Sequence, residues 1–210
     1  MVSIAGALVI NIGTLSTPWI DAMLQAGRKA CAVGIPIVMD PVGCGATAFR
    51  TTTALQLIRD IQPAVIRGNA SEIRALNSAN SSTKGVDSLH TPDQVFEDAH
   101  QLSVRTGCVV SVSGPIDLVV ASDRVARIHN GHPLMTRVTG MGCTASAVTG
   151  AFLAIEADAF AAAVHAMVTM GVAGELAAEN ASGPGSFQMH FLDVLHGLRE
   201  ADVQQLARFT

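Results

Sequence analysis

The stretch from residue 138 to residue 147 has the composition of a phosphate-binding turn. Gly140 and Gly142 alternate with other residues, and Cys143 opens a run of small residues typical of a helix. Because glycine has no Cβ, an anion could approach the backbone N–H groups of Gly140, Met141, Gly142 and Cys143, which would form an anion hole at the positive end of the helix dipole. The same dipole favours the thiolate form of Cys143. An ordinary tight turn has the same spacing, so the residues alone leave both interpretations open.

Four polar residues stand just after apolar runs of strand length or at a helix entry: Asp40, Arg67, Glu72 and Ser113. The carboxylates of Asp40 and Glu72 could hold a metal ion or its water, or could cap a turn and a helix. Arg67 could bind a phosphate bidentately or lie in a surface salt bridge. Ser113 could donate to a phosphate or be a plain turn residue. Asn69, three residues before Glu72, has the pattern of a helix cap with a returning acid.

Strand-like and helix-like patterns alternate along the chain. We predict strands at residues 4–13, 35–40, 63–66, 108–113, 116–121 and 124–129, the last two as an antiparallel hairpin. We predict helices at residues 18–33, 47–61, from 69, 92–105, from the 140–143 turn to 155, 158–180 and 189–209, and a surface loop at 77–90. The alternation predicts one domain over residues 1–210, with a three-layer α/β fold and a mainly parallel sheet. Ligands bind beyond the carboxyl ends of such strands, so the polar residues should converge there.

The composition argues against several classes of protein. The net charge is −4, and aromatic residues make up 4% of the chain with no Tyr, so nucleic-acid binding has no support. Cys31, Cys44, Cys108 and Cys143 lack the spacing of a zinc site and are predicted to be free thiols in a reducing cytoplasm. The apolar run at residues 159–174 is short for a membrane span and is predicted to be a buried helix.

Five motifs, in their order and spacing, carry a family resemblance: Asn11-Ile12-Gly13-Thr14-Leu15, Asp40-Pro41-Val42-Gly43, Arg67-Gly68-Asn69-Ala70-Ser71-Glu72, Val138-Thr139-Gly140-Met141-Gly142-Cys143 and Gly183-Pro184-Gly185-Ser186-Phe187. The chain resembles hydroxyethylthiazole kinase of thiamine salvage over essentially all of its 210 residues. That family has a ribokinase-like fold, so the resemblance implies this fold for the present chain.

The resemblance also implies an activity and roles for the site residues. The family moves the γ-phosphoryl group of ATP to the hydroxyl of 4-methyl-5-(2-hydroxyethyl)thiazole. Arg67 and Ser113 match its ATP-contacting positions, and Gly140 matches a thiazole-contacting glycine. A further pair, Asp40 and Glu72, matches the acids near Mg²⁺. Cys143 stands where related sugar kinases carry an Asp that helps to deprotonate the attacking hydroxyl.

The beginning of the chain departs from the family pattern. The first predicted strand starts at residue 4, whereas the resemblance implies a further N-terminal segment of roughly fifty residues, and a buried strand needs neighbours on both sides. The chain is thus expected to be N-terminally truncated relative to the family, whose members are homotrimers with active sites between subunits. Another ribokinase-fold ATP-dependent enzyme and a non-catalytic nucleotide-binding or oligomerisation module stay open as alternatives. A dinucleotide-binding oxidoreductase is disfavoured, because no G-x-G-x-x-G follows the first strand.

Overall fold

The computed structural model describes residues 1–79 and 91–210. One six-stranded sheet has the order β1-β2-β3-β4-β5-β6. Its strands are β1 Leu8–Asn11, β2 Ile37–Asp40, β3 Val65–Asn69, β4 Val109–Ser113, β5 Asp117–Val120 and β6 Val125–Ile128. β1 to β4 run parallel, whereas β5 pairs antiparallel with both β4 and β6. The mainly parallel sheet and the antiparallel hairpin predicted from the sequence are confirmed.

Helices cover both faces of the sheet. They are α1 Thr17–Ala32, α2 Ala48–Ile61, α3 Ala70–Ser78, α4 Pro92–Thr106, α5 Met141–Leu153, α6 Ala159–Glu179, α7 Pro184–Gly197 and α8 Glu200–Leu206. One buried apolar cluster joins the sheet to α1–α4, and a second joins it to α5–α7. Because both faces are covered, β2 is buried along its whole length, and β3 and β4 are buried in all but their last residue. The three-layer α/β architecture is therefore confirmed.

The first strand is shorter than predicted. A short 3₁₀ helix occupies Val2–Ile4, and pairing with β2 begins only at Leu8. A Cβ at Gly6 would lie 2.7 Å from Cβ of Ala154, so this glycine lets the chain pass close to the end of α5. The predicted strand at residues 4–13 is thus wrong at its start, because the chain makes a turn there before it enters the sheet.

The predicted helix at residues 189–209 is also wrong, because the structure has two helices in that region. α7 begins earlier than predicted, at Pro184, and ends at Gly197. α8 begins at Glu200, and the side chain of Asp202 in its first turn accepts a hydrogen bond from the backbone N–H of Arg199 (3.1 Å). The last residues then lie along β6, where Thr210 exchanges two backbone hydrogen bonds with Arg127. The end of the chain thereby extends the sheet.

The predicted surface loop at residues 77–90 needs a correction at its start. α3 continues to Ser78, and Asn77 is buried beneath α4, where its side chain donates to Asp98 (2.9 Å) and accepts from Arg105 (2.8 Å). The remainder of that prediction, residues 80–90, lies outside the described residues.

Helix α6 is the core helix of the second cluster. It is 21 residues long and apolar enough to cross a membrane by length and composition, the one such helix in the described parts of the chain. It packs against α5, α7 and three strands, and 61% of its most apolar window is buried inside the protein. The prediction of a buried helix at this apolar run is confirmed.

Candidate active site

A cleft of about 800 Å³ opens at the carboxyl ends of the central strands, beside the N-terminus of α5. This volume lies within the range of small-molecule sites, roughly 300–1,000 Å³. All the residues selected from the sequence line it: Asp40, Arg67, Glu72, Ser113, Gly140, Met141, Gly142 and Cys143. The convergence expected for the ends of parallel strands therefore occurs in the structure.

Strand periodicity explains why these side chains face the cleft. Val38 and Val65 belong to the cluster that packs on α5–α7, and residues two apart in a strand share a face. Asp40 and Arg67 each follow one of these valines by two positions, so their side chains project to the same side, where α5 begins. Ser111, directly opposite Arg67 in the register of β3 and β4, lies on that side as well.

The N-terminus of α5 presents free backbone donors to the cleft. Gly140 holds the cap position with φ of 94°, a left-handed conformation that favours glycine. None of the described side chains caps this helix, so the first-turn N–H groups of Met141, Gly142 and Cys143 remain available to an anion. A Cβ at Gly142 would lie 2.7 Å from Nη1 of Arg67, so the guanidinium lies directly against this turn.

Arg67 is a buried cation that faces these donors. Its residue is 6% exposed, and its Nε has no hydrogen-bond partner among the described residues. The hydroxyl of the neighbouring Ser111, which is fully buried, is likewise unpartnered among them. The surface salt bridge considered from the sequence is thus wrong, because Arg67 is not at the surface. Buried polar atoms are normally paired, so an unpaired guanidinium nitrogen beside a helix N-terminus points to an anionic ligand.

Asp40 lies in a hydrogen-bonded network with the cysteine. The aspartate is 2% exposed, and its Oδ2 accepts from Nδ2 of Asn11 (2.9 Å) and from the hydroxyl of Ser146 (2.7 Å). Burial raises the pKa of Asp40, and the Ser146 hydrogen bond and the charge of Arg67 oppose this. Nδ2 of Asn11 also donates to Sγ of Cys143 (3.3 Å). Asn11 therefore links the predicted base to the predicted metal-site acid.

Glu72 has the capping role considered from the sequence, together with a position in the cleft. Its carboxylate accepts from the backbone N–H of Asn69 (2.9 Å) and Gly43 (2.9 Å), and Oδ1 of Asn69 accepts from the Glu72 N–H (3.0 Å). Glu72 lies close enough to Asp40 for its charge to raise the pKa of that residue. Two carboxylates so placed fit Mg²⁺, which binds one or two carboxylates together with water and phosphate oxygens.

Asp117 is a further acid in the cleft that the sequence analysis did not select. One of its carboxylate oxygens accepts from the backbone N–H of Gly114 (2.9 Å), which closes the turn between β4 and β5. Burial raises the pKa of Asp117 to about 6, against the opposing effects of that hydrogen bond and of Arg67. The folded state therefore retains a proton between pH 4 and 6 that the unfolded chain, with an ordinary pKa of 3.8, releases.

We expect Asp117→Asn to stabilise the protein at pH 7.5 and to have little effect at pH 4. As the pH rises through the window from about 4 to 6, the free energy of unfolding of the wild type falls, because the folded state must ionise a partly buried acid. An amide keeps an acceptor for Gly114 without that cost. The gain should be roughly 1–3 kcal/mol, or several degrees in Tm. Thermal melts of both proteins from pH 4 to 8 measure it, and an offset that is constant with pH would contradict the assignment.

Comparison with known proteins decides the family. The model of the hydroxyethylthiazole kinase family matches residues 1–201. The chain belongs to the hydroxyethylthiazole kinase family. It is 51% identical over 208 residues to hydroxyethylthiazole kinase of Nitratidesulfovibrio vulgaris, with 99% of this chain and 78% of the relative covered. It is 51% identical over 209 residues to the same enzyme of Syntrophus aciditrophicus, at 99% and 77% coverage. The resemblance and the prediction of a kinase are confirmed.

Solved structures agree on the fold of this family member. The hydroxyethylthiazole kinase of Pyrococcus horikoshii OT3 superposes with a TM-score of 0.91 at 36% identity, covering 100% of this chain and 78% of that one. A pyridoxal kinase from Staphylococcus aureus superposes with a TM-score of 0.61 at 19% identity, covering 80% of this chain and 62% of that one, and supports the fold alone. The predicted ribokinase-like fold is confirmed.

Three residues that line this kinase's cleft or contact its lining residues escaped the sequence analysis in their site roles, although two left a periodic signal. Ser146 follows Cys143 by three residues, so helical spacing places both on the same side of α5, where Ser146 reaches Asp40. Asp117 precedes the buried Val119 by two residues in β5 and therefore shares its face of the sheet. The amide of Asn11 gave no such signal, because its contacts with Asp40 and Cys143 cross 29 and 132 positions of the chain.

Proposed function

We propose that this chain transfers the γ-phosphoryl group of ATP to the hydroxyl group of 4-methyl-5-(2-hydroxyethyl)thiazole. One observation carries the proposal beyond family membership. The uncapped N-terminus of α5 and the guanidinium of Arg67 meet at Gly142, where Nη1 lies against the turn, and the Nε of the same group is buried and unpartnered among the described residues. Backbone donors and a cation therefore converge on one point of the cleft. Phosphoryl transfer needs this kind of charge neutralisation and positioning more than covalent chemistry.

The strand order supports a placement of the two substrates on opposite sides of Gly142. Arg67 on β3 and Ser113 on β4 lie toward the β6 side, where the cleft continues to Met135 and Met170. This half is apolar enough to pack a purine, so we place the nucleotide there. On the other side, at the ends of β1 and β2, the acceptor hydroxyl would lie near Cys143, with Gly140 as its backbone contact. The anion hole then lies between the donor and the acceptor.

In this arrangement each residue has a defined task. Arg67 and the first-turn N–H groups of α5 stabilise the charge on the transferred phosphoryl group, and Ser113 donates to a phosphate oxygen. As the new P–O bond forms and the bond between the γ-phosphorus and ADP breaks, the thiolate form of Cys143 takes the proton of the attacking hydroxyl, and ADP leaves. The Asn11 amide donates a hydrogen bond to that sulfur and holds it in place. Asp40 and Glu72 would hold Mg²⁺ directly or through water. When bound, the metal neutralises phosphate charge.

We also propose that the protein acts as a homotrimer in the cytoplasm. The four cysteines are free thiols, which suits a reducing compartment. β1 pairs only with β2 among the described strands, and Val9 is 37% exposed there, so this side of the sheet suits a contact with further protein. Analytical ultracentrifugation of the purified protein tests the trimer.

The activity is tested by ligand-induced stabilisation followed by turnover. Mg-ATP at 100 times its Kd should stabilise the chain by about 2.7 kcal/mol and raise Tm by several degrees. ADP release should then require hydroxyethylthiazole, and ³¹P NMR should show a phosphate monoester. Pyridoxal is the control acceptor, because the fold neighbours include pyridoxal kinases. Folded protein whose melt does not move in millimolar Mg-ATP would contradict the proposal, and ATP binding without turnover would instead favour a non-catalytic nucleotide-binding module.

A further inference from the structure

The β6 side of the cleft is bounded by residues 129–136, which we call the wall segment. Asn130, Pro133 and Met135 of this segment line the cleft. It approaches α6 closely at two glycines. A Cβ at Gly171 would lie 2.5 Å from Cβ of Asn130, and a Cβ at Gly174 would overlap Sδ of Met135. The wall segment therefore depends on α6 for its position, and larger residues at these glycines would push it into the cleft.

Glu175, the residue after the second glycine, holds the base of the wall segment by hydrogen bonds. Its side chain is 20% exposed, and Oε1 accepts from the backbone N–H of Gly131 (2.7 Å) and from Nη2 of Arg208 (2.6 Å). Both carboxylate oxygens also lie within hydrogen-bond distance of Nδ2 of Asn130 (3.3 and 3.2 Å). One carboxylate thus joins α6, the wall segment and the end of the chain.

Asn130 is tied from a second direction as well. It is 5% exposed, its Oδ1 accepts from the backbone N–H of Arg208 (2.7 Å), and its Nδ2 donates to the carbonyl of Leu206 (2.9 Å). The only charged groups in hydrogen-bond contact with the wall segment within the described chain are thus Glu175 and Arg208. Neither residue lines the cleft itself, so any effect on a ligand must pass through the wall segment.

We propose that Glu175 is a positioning residue for the nucleotide: it fixes Asn130 and Gly131 and thereby holds Met135 where the base of ATP packs against α6. The proposal rests on the proposed function, which places the nucleotide on this side of the cleft. Without the carboxylate, the Gly131 N–H and one Asn130 donor lose their acceptor, and the wall segment must be ordered by the nucleotide itself. ATP affinity falls as a result, while the anion hole and Cys143 are untouched.

The test compares Glu175→Ala and Glu175→Gln with the matched control Glu179→Ala, which removes an exposed acid one turn further along the same helix. Assays run well below each variant's Tm. Glu175→Ala should raise KM for ATP about tenfold, leave KM for the thiazole and kcat within about threefold, and speed amide hydrogen exchange of the wall segment without ligand. Glu175→Gln keeps an acceptor and should lie between this variant and the wild type. The control should match the wild type.

The outcomes separate the two proposals. If the wild type binds no ATP, the proposed function fails. If the wild type is active but both Glu175 variants keep its KM for ATP, the positioning role is overturned, even where their Tm falls. If Glu175→Ala does not fold, the KM for ATP is measured in Glu175→Gln and Arg208→Ala instead. An unchanged KM for ATP in both of these variants overturns the positioning role. A rise in KM for the thiazole alone also overturns it.

Discussion

Replacing Arg67 by Met should weaken the binding of Mg-ATP by roughly 10- to 150-fold, which corresponds to about 1.5–3 kcal/mol for charge-assisted hydrogen bonds. Methionine is chosen because Arg67 is buried, so its stem must be replaced by apolar atoms. The loss should appear in Kd by isothermal titration calorimetry and in kcat/KM. It should be much smaller for AMP than for ATP, because the guanidinium faces the anion hole.

Gly142→Ala offers an independent way to disturb the same group. A Cβ there would come within 2.7 Å of Nη1 of Arg67, and the flexible guanidinium must move to accommodate it. Because residue 142 is helical, alanine should not lower the stability of the unliganded protein. ATP affinity should nevertheless fall in the direction seen for Arg67→Met, and the double variant should lose less than the sum of the two.

The unliganded melting temperature distinguishes binding from architecture in both variants. Arg67 lowers the pKa of the buried Asp40 and of the partly buried Asp117, so its removal also withdraws electrostatic support from both acids. That loss of stability appears in the melting temperature of the unliganded protein and not in the Kd for Mg-ATP. If the Arg67→Met variant loses unliganded stability but keeps the Mg-ATP affinity of the wild type, Arg67 is a structural cation and not a phosphate ligand.

Local patterns were sufficient to predict the positions of the site residues but not their partners. The cap formed by Asn69 and Glu72 spans three residues, and the ends of β2 and β3 follow from apolar runs, so both are visible in the sequence. The contact between Asp40 and Ser146 joins positions 106 residues apart and depends on how α5 crosses the sheet. The burial of Arg67 depends on the same crossing, which explains why a surface salt bridge was a reasonable interpretation before the structure.

The end of the chain also combines a feature that is visible in the local sequence with a long-range contact that is not. Gly197 was a local signal for the end of a helix, and the prediction of one helix over residues 189–209 overlooked it. The pairing of the last residues with β6, by contrast, has no local signature, because Phe209 bridges to Ile128 although four helices, α5 to α8, lie between them in the sequence. The role proposed for Glu175 follows from that pairing and could not have been reached from composition or spacing.

Replacing Cys143 by Ala should lower kcat by about 100-fold and leave Kd for Mg-ATP within about threefold. This factor is at the lower end of the range of rate accelerations that a general base provides, because the phosphoryl-transfer transition state is loose and the hydroxyl proton leaves late. Sγ accepts a hydrogen bond from the Asn11 amide, whereas the guanidinium of Arg67 lies against Gly142, so removal of the sulfur leaves the proposed phosphate contacts in place. Rapid-quench measurements of the chemical step, with ATP binding measured separately, check both halves of this expectation.

Cys143→Asp is the variant that separates a base from a packing residue. A carboxylate can accept the same hydrogen bond from Nδ2 of Asn11 and is favoured at a helix N-terminus, so kcat should return to within about tenfold of the wild type. Because that amide also bonds to Asp40, the two carboxylates would repel each other, and the activity of this variant should rise with pH over a different range from that of the wild type. Cys143→Ser is the isosteric control, which keeps the shape but provides a poor base. If Ser restores turnover as well as Asp does, the residue acts through packing, and the proton must leave by another route.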